Sequence, residues 1–192
     1  IRVHPIITKG GEAVSAVPAG VRMETFVRGR TVEALMDANA KVDRALKAGA
    51  MAVGAQVKIQ TIPGYMPLQQ NKAMAEIFRA NAAELVGEEN VGYVDHRGGS
   101  TDMGDISRLM PVIHPYVGGA TGLGHGATYV VEDYALAVIK GAKALAYTAI
   151  DLLGDNASHG NSVAGGQRAD MSIPEYLKSM RNLASEETFK SE

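Results

Sequence analysis

Hydrophobic and polar positions in the first third of the chain predict two strands, a helix and a third strand. Val and Ile are concentrated in residues 2–8, and over 21–27 mostly apolar positions alternate with charged ones, as in a half-buried strand. Thr31 is placed to cap a helix with an apolar stripe, closed by Gly49. Residues 52–62 are typical of a strand. This order indicates a partial α/β unit, since a ferredoxin-like sandwich has a further strand and helix.

A proline- and glycine-containing break over residues 63–67 separates this unit from the rest of the chain. After it, Asn71 is predicted to cap a helix that ends at Gly87. Residues 91–94 are a candidate for a short strand.

The C-terminal half is predicted to contain a long helix over residues 134–153, followed by a loose loop over 155–169. Ser172 and Glu175 have the spacing of a capping box for a last helix through Leu183, and the polar tail is expected to fray. The predicted apolar stripe of the long helix consists of Leu136, Ile139, Ala142, Ala146, Ala149, Ile150 and Leu153.

Composition excludes several classes of protein. Lys and Arg number 19 against 21 Asp and Glu, so the net charge of −2 gives no basic excess and we expect no nucleic-acid partner. The chain has no cysteine, which excludes disulfides, thiolate zinc sites and cysteine nucleophiles. Any metal must therefore be bound by His, Asp or Glu. The histidines are His4, His96, His114, His125 and His159.

Targeting signals are not evident in the sequence. No apolar run reaches the roughly 20 residues of a membrane-spanning helix, so we expect no membrane partner and a cytoplasmic location. The first residues, Ile1 to Pro5, show neither an initiator Met nor a signal-peptide pattern, so we expect that a longer chain has been cut here.

Glycine-rich segments over residues 98–105 and 118–126 are the candidates for chemistry. His125 lies between two glycines in a predicted loop before the long helix, where α/β proteins often hold ligands. Gly122, Gly124 and Ala127 satisfy a relaxed dinucleotide-binding fingerprint, but the residues that follow are β-branched or aromatic and do not open a helix well. The sequence also lacks the Gly-x-Ser-x-Gly motif, which disfavours a serine hydrolase.

Three motifs in order resemble the aminoacylase/carboxypeptidase family of co-catalytic metallopeptidases, in the amidohydrolase branch that contains p-aminobenzoyl-glutamate hydrolase. They are Ile7-Thr8-Lys9-Gly10-Gly11 through Pro18, Gly99-Ser100-Thr101-Asp102-Met103-Gly104-Asp105, and Gly124-His125-Gly126 with the helix that follows. The resemblance implies cleavage of N-acyl amino acids or small peptide-like amides by a metal-activated water.

The resemblance also implies a domain organisation. Residues 1–66 would be part of a lid and dimerisation domain, and residues 67–192 the C-terminal part of an α/β di-metal hydrolase domain. In this family most metal ligands and the general base precede the lid, so no catalytic residue is assigned here. His125 would be the last ligand of two divalent ions, zinc or manganese. A homo-oligomer formed through the lid is expected.

Three residues are assigned to substrate binding by the resemblance. Arg28 corresponds to the lid arginine that binds a substrate carboxylate, and the other interpretation is a solvated strand-end arginine. Ser15 stands where the family usually has Asn, which weakens the expected substrate contact. Asp102 corresponds to an acidic position of the catalytic domain, and the other interpretation is a capping or turn role. The alternative function is a non-catalytic fragment or homologue that acts in dimer assembly or small-ligand binding.

Overall fold

The computed structural model describes residues 1–95, 98–166 and 169–191. It is a mixed α/β structure of small antiparallel sheets and several helices, which agrees with the predicted class. The chain divides into two compact units. The first contains Ile1–Pro67 and the described residues of 96–101 and 177–192, and the second contains Leu68–Asp95 and Asp102–Tyr176. The assignment of 1–66 and 67–192 to a lid and a catalytic domain stays a prediction.

The first unit begins with a hairpin of two antiparallel strands, β1 (Arg2–Lys9) and β2 (Arg22–Arg28). A long loop joins them, as expected from the length of the connecting segment. Side chains directly opposite each other across an antiparallel pair lie on the same face. Arg2 is thereby paired with Arg28 at one end of the hairpin, and Lys9 with Arg22 at the other.

Helix α1 (Val32–Ala52) begins where the sequence predicted, because the Thr31 hydroxyl accepts a hydrogen bond from the backbone N–H of Ala34 at 3.2 Å. The predicted end at Gly49 is wrong, since the helix continues for almost another turn. Glycine costs up to about 1 kcal/mol inside a helix, which neighbouring residues can offset. The reversal is made instead at Gly54, whose φ of 63° lies in the left-handed region.

The first unit is completed by β3 (Gln56–Thr61), which pairs antiparallel with β6 (Ser185–Lys190). The prediction that the tail frays is therefore wrong. Lys47 on α1 forms an ion pair with Glu187 at 2.6 Å, and Lys58 forms one with Glu186 at 2.8 Å. Strand, strand, helix and strand follow in the predicted order, but they form two separate two-stranded sheets.

The second unit opens with α2 (Lys72–Val86). Its cap is as predicted, because the side-chain oxygen of Asn71 accepts from the backbone N–H of Met74 at 2.8 Å. The helix ends at the predicted Gly87, at φ 89°. A short 3₁₀ turn, Glu88–Asn90, follows. Residues 91–94 form no strand, so that prediction is wrong.

Two short elements lie in the glycine-rich region of the second unit. Helix α3 (Met103–Ile106) has a single turn, and β4 (Ala120–Thr121) pairs antiparallel with β5 (Val130–Val131). Gly119 sits beside this small sheet at φ 96°, and its carbonyl accepts hydrogen bonds from the N–H groups of Glu132 and Asp133.

The long C-terminal helix differs from its prediction in two respects. A π-helical segment, Ala135–Lys140, leads into α4 (Gly141–Gly166), which breaks at Gly154 and resumes after residue 157. The break follows the predicted helix end, but much of the predicted loop over 155–169 is helical. No helix among the described residues is sufficiently long and apolar to span a bilayer.

The buried face of α4 is not the predicted apolar stripe. The helix packs against α2 and buries the small residues Gly141, Ala144 and Thr148. Ile150 and Leu153, from the predicted stripe, are 64% and 73% exposed. Small side chains allow the backbones of the two helices to approach each other. The spacing of large apolar residues along the sequence does not reveal such a contact face.

Helix α5 (Ile173–Leu183) begins with the predicted capping box and ends at the predicted residue. The carboxylate of Glu175 accepts from the backbone N–H of Ser172 at 2.7 Å, and the Ser172 hydroxyl accepts from the N–H of Glu175 at 3.5 Å.

Candidate functional site

His125 lies in the loop between β4 and β5, where the backbone folds tightly. The N–H of Gly126 donates to the carbonyl of Leu123 at 2.7 Å, which closes a turn around the histidine. His125 itself has φ 63°, a left-handed conformation that few non-glycine residues adopt and that is often found at functional sites. The side chain is exposed. The local fold therefore presents an accessible imidazole from a strained turn.

Two of the glycines around His125, Gly122 and Gly126, are needed for close backbone approach. A Cβ at Gly122 would lie 2.1 Å from the carbonyl oxygen of Thr128, and one at Gly126 would lie 2.9 Å from that of Leu123. Gly124 has open space around it. The glycines of this segment are thus explained by the tight geometry of the loop. A dinucleotide-binding function is not required to explain them.

A metal ion would find one donor in this loop, not a complete site. Among the described residues no three His, Asp or Glu side chains lie together as a metal-binding group. Imidazole is a ligand that suits zinc or manganese, so the described part of the chain, through His125, fits the contribution of a single ligand.

The other histidines occupy different settings. His4 is exposed on β1, and His159 is exposed on α4. The backbone N–H of His114 donates to the side-chain oxygen of Gln70 at 2.8 Å, and its ring contacts Tyr116 edge to face at 5.5 Å. These contacts agree with a structural role for His114. His96 lies outside the described residues.

Arg28 lies at the end of β2 and is half-buried. Its Nη1 donates to the carbonyl of Gly98 at 3.3 Å, and its Cζ lies 5.1 Å from the centre of the Phe26 ring. A guanidinium stacked on an aromatic ring and tied to a carbonyl has fewer orientations to lose when it binds a ligand. Arg28 is thus more ordered than a solvated strand-end arginine.

Ser15, the other predicted substrate-binding residue of the first unit, is exposed in the long hairpin loop. A turn closed by the N–H of Ala16 and the carbonyl of Ala13, 3.2 Å apart, surrounds it. No hydrogen bond joins Ser15 to Arg28 among the described residues.

Asp102 precedes α3 in the second unit. Its carbonyl accepts hydrogen bonds from the N–H groups of Asp105 at 3.0 Å and Ile106 at 3.3 Å, so its backbone starts the helical turn. Burial, with the nearby Asp105 carboxylate as the second cause, raises the pKa of Tyr176. The backbone of Asp102 therefore has a structural function at the start of α3.

Sequence reasoning missed two features of possible binding surfaces. One is Arg2, which the hairpin register places opposite Arg28. A correct register between the two predicted strands would have revealed it. The other is a cavity of about 400 Å³ at the start of α2, lined by residues that include Gln70, Lys72 and Ser162. In the sequence, only the polar residues that follow the break over 63–67 indicated this cavity.

Comparison with known proteins supports a peptidase or amidohydrolase family. The chain is 30% identical over 162 residues to the mouse (Mus musculus) Xaa-Arg dipeptidase and 28% identical over 162 residues to the human (Homo sapiens) one. Each match covers 79% of this chain. No family model matches the chain, and no solved structure matches it significantly.

The matched relatives are considerably longer than this chain. The chain spans 37% of the length of each. These relatives are by name enzymes of the hydrolase type, and the similarity to them agrees in kind with the family that the three sequence motifs resemble.

Proposed function

We propose that the chain is the C-terminal part of a metal-dependent amidohydrolase that cleaves N-acyl amino acids or small peptide-like amides. The observation that carries this proposal is the similarity to two dipeptidases over 162 residues, a stretch long enough to take in most of the predicted motifs. The exposed His125, held at φ 63° in its glycine-bounded turn, supports it with a suitable metal donor.

In this proposal His125 holds one of two divalent ions, zinc or manganese, and the remaining ligands come from segments outside this chain. When bound, the ions polarise the scissile carbonyl and activate water. The turn fixes the position of the His125 backbone, from which the exposed imidazole would reach the ion. The fragment alone is expected to be inactive.

The residues of the first unit would bind the substrate and not the metal. Arg28 would grip the free carboxylate, since a guanidinium presents paired donors that match a carboxylate. Its contact with Gly98 and its stacking on Phe26 pre-orient it for this role. Ser15 of the first unit is proposed as a further substrate contact, and so, separately, is Asp102 of the second unit.

Residues 1–66 correspond in this proposal to a partial lid, and residues 67–192 to part of a catalytic domain. A homo-oligomer through the lid would then bring a second copy to the hairpin. The exposed apolar residues of β1 and β2, among them Ile6, Ile7 and Phe26, support a further contact surface there.

Metal content and hydrolysis in the full-length protein test the proposal. His125→Ala should lower bound zinc or manganese and abolish cleavage of N-acetyl amino acids and dipeptides. His159→Ala, which removes another exposed imidazole of the second unit, should change neither. Full metal content and activity in His125→Ala would contradict the proposal. Ligand binding by the wild-type protein that takes up neither zinc nor manganese when these are supplied, and that shows no hydrolysis in their presence, would support the non-catalytic alternative.

A further inference from the structure

Two like charges face each other at one end of the β1–β2 hairpin. Arg2 and Arg28 are directly opposite in the register, an arrangement that destabilises an antiparallel pair. Neither guanidinium forms an ion pair with a carboxylate of the described residues. The folded chain therefore keeps an unfavourable pair that an external anion would neutralise.

Gly98 lies against both arginines. Its carbonyl accepts from Nη1 of Arg28 at 3.3 Å, and a Cβ at this position would lie 2.6 Å from Nε of Arg2. Its φ of 70° also disfavours any other residue. A side chain at this buried position would displace the guanidinium of Arg2 from where it now lies.

The arginines and Gly98 line a small cavity of about 180 Å³. A water molecule occupies about 30 Å³ in the liquid, so the cavity has room for a group of a few heavy atoms. A carboxylate is of that size and carries the required charge. Two planar guanidinium groups can each donate to it through paired N–H groups.

We propose that Arg2 and Arg28 together bind a single carboxylate in the cavity beside Gly98. Arg2 is then a specificity-determining residue, because it favours ligands that end in a carboxylate over those that end in a neutral amide. The identity of this carboxylate as that of the substrate rests on the proposed function, whereas anion binding at the arginine pair does not.

Titration with butyrate tests the pair, with butyramide as the uncharged control ligand. The amide NMR signal of Gly98 in the full-length protein reports binding at the cavity. Arg28→Gln should weaken butyrate binding about tenfold. Arg2→Gln should weaken it about fivefold, because Arg2 is the more exposed of the two. Effects of this size are expected for charged hydrogen bonds at a partly solvated site. Butyramide should bind weakly to all variants.

Arg22→Gln is the matched control. Arg22 belongs to the second like-charged pair of the same hairpin, opposite Lys9 at its far end, and Lys9 there forms an ion pair with Glu12 at 3.6 Å. This variant should bind butyrate as the wild type does. Equal binding by Arg2→Gln and the wild type would overturn the inference.

Thermal unfolding separates binding from folding. Arg2→Gln removes the repulsion across the hairpin, so the free protein should unfold at the same or a higher temperature while its butyrate affinity falls. A lowered unfolding temperature would instead mark Arg2 as structural and contradict the inference. Hydrolysis without Arg2-dependent butyrate binding overturns this inference alone. Arg2-dependent binding without hydrolysis overturns the proposed function alone.

Discussion

The side-chain amide of Asn81 on α2 donates a hydrogen bond to the carboxylate of Asp151 on α4, with 2.6 Å between Nδ2 and Oδ2. The same Nδ2 lies 3.2 Å from the carbonyl oxygen of Ile77, to which it also donates. Asn81 is buried, at 8% exposure. A buried amide needs hydrogen-bond partners, so this contact fixes how α2 and α4 are aligned.

Loss of this contact should destabilise the second unit. Asn81→Ala removes both donated bonds and leaves the Asp151 carboxylate without its partner, so we expect a loss of about 1–3 kcal/mol in the free energy of unfolding. Urea denaturation measures it. Asp151→Asn keeps an acceptor oxygen and should cost less. A cost for Asn81→Ala no larger than that for Asp151→Asn would contradict this account of the helix pair.

Gly119 should be far less tolerant of substitution than Gly124. A Cβ at Gly119 would lie 2.7 Å from the carbonyl oxygen of Asp133, and its φ of 96° is unfavourable for alanine. Gly119→Ala should therefore cost roughly 1–3 kcal/mol of stability. Gly124→Ala, in the same segment but with open space around it, should cost less than about 1 kcal/mol. Chemical denaturation of the two variants compares them, and equal costs would show that the loop relaxes freely.

The capping box at α5 should make stability depend on pH. Hydrogen bonds from the backbone N–H of Ser172, and secondarily from its hydroxyl, hold the pKa of Glu175 below its ordinary value of 4.5. A lowered pKa in the folded state gives stability that is present above the unfolded-state pKa and is lost as the pH falls through the folded-state value.

Glu175→Gln should remove this part of the acid dependence. We expect its thermal unfolding curves to change less than those of the wild type as the pH is lowered below 4.5. Ser172→Ala, which removes the hydroxyl but keeps the backbone donor, should retain most of the dependence and cost about 1 kcal/mol at neutral pH. Identical acid dependence in Glu175→Gln and the wild type would exclude the capping box as its source.

Arg108 should anchor the segment that precedes α5. Its Nη1 donates to the side-chain oxygens of Gln69 at 3.0 Å and Asp170 at 2.9 Å, and its side chain is 15% exposed. Arg108→Gln should lower the free energy of unfolding by about 1–2 kcal/mol. The loss is less than for a fully buried pair, because Asp170 is partly solvated. It should also speed proteolysis near Asp170.

Lys41→Gln provides the control for Arg108. Lys41 forms an exposed ion pair with Asp37 at 2.5 Å on α1, so its loss should cost less than about 0.5 kcal/mol. Limited proteolysis and denaturation of both variants check the comparison. Equal protease sensitivity would indicate that Arg108 does not anchor this segment.

Local signals accounted for the parts of the fold that the sequence predicted well. The caps at Thr31 and Asn71 and the capping box at Ser172 are formed within three residues, and the structure shows the hydrogen bonds of each. The left-handed residue after α2 is likewise the predicted Gly87. Such contacts depend on adjacent residues only, so a single sequence contains the information for them.

Distant partners account for the failures. The polar strand β6 is ordered by pairing with β3, and nothing within Ser185–Lys190 indicates that partner. The face of α4 that packs on α2 was also missed, because its small residues give a weak hydrophobic signal beside the larger exposed ones. The predicted roles of Ser15, Arg28, Asp102 and His125 depend on residues outside the chain and stay predictions.

The pairing of β3 with β6 has a consequence for synthesis on the ribosome. Lys47 on α1 and Glu187 on β6, which form an ion pair, are 140 positions apart in the sequence. Because β6 leaves the ribosome long after β3, the edge of β3 stays unpaired while the whole second unit is translated. Exposed strand edges recruit other chains, so this interval is when the nascent protein is most prone to aggregate and would benefit from a chaperone.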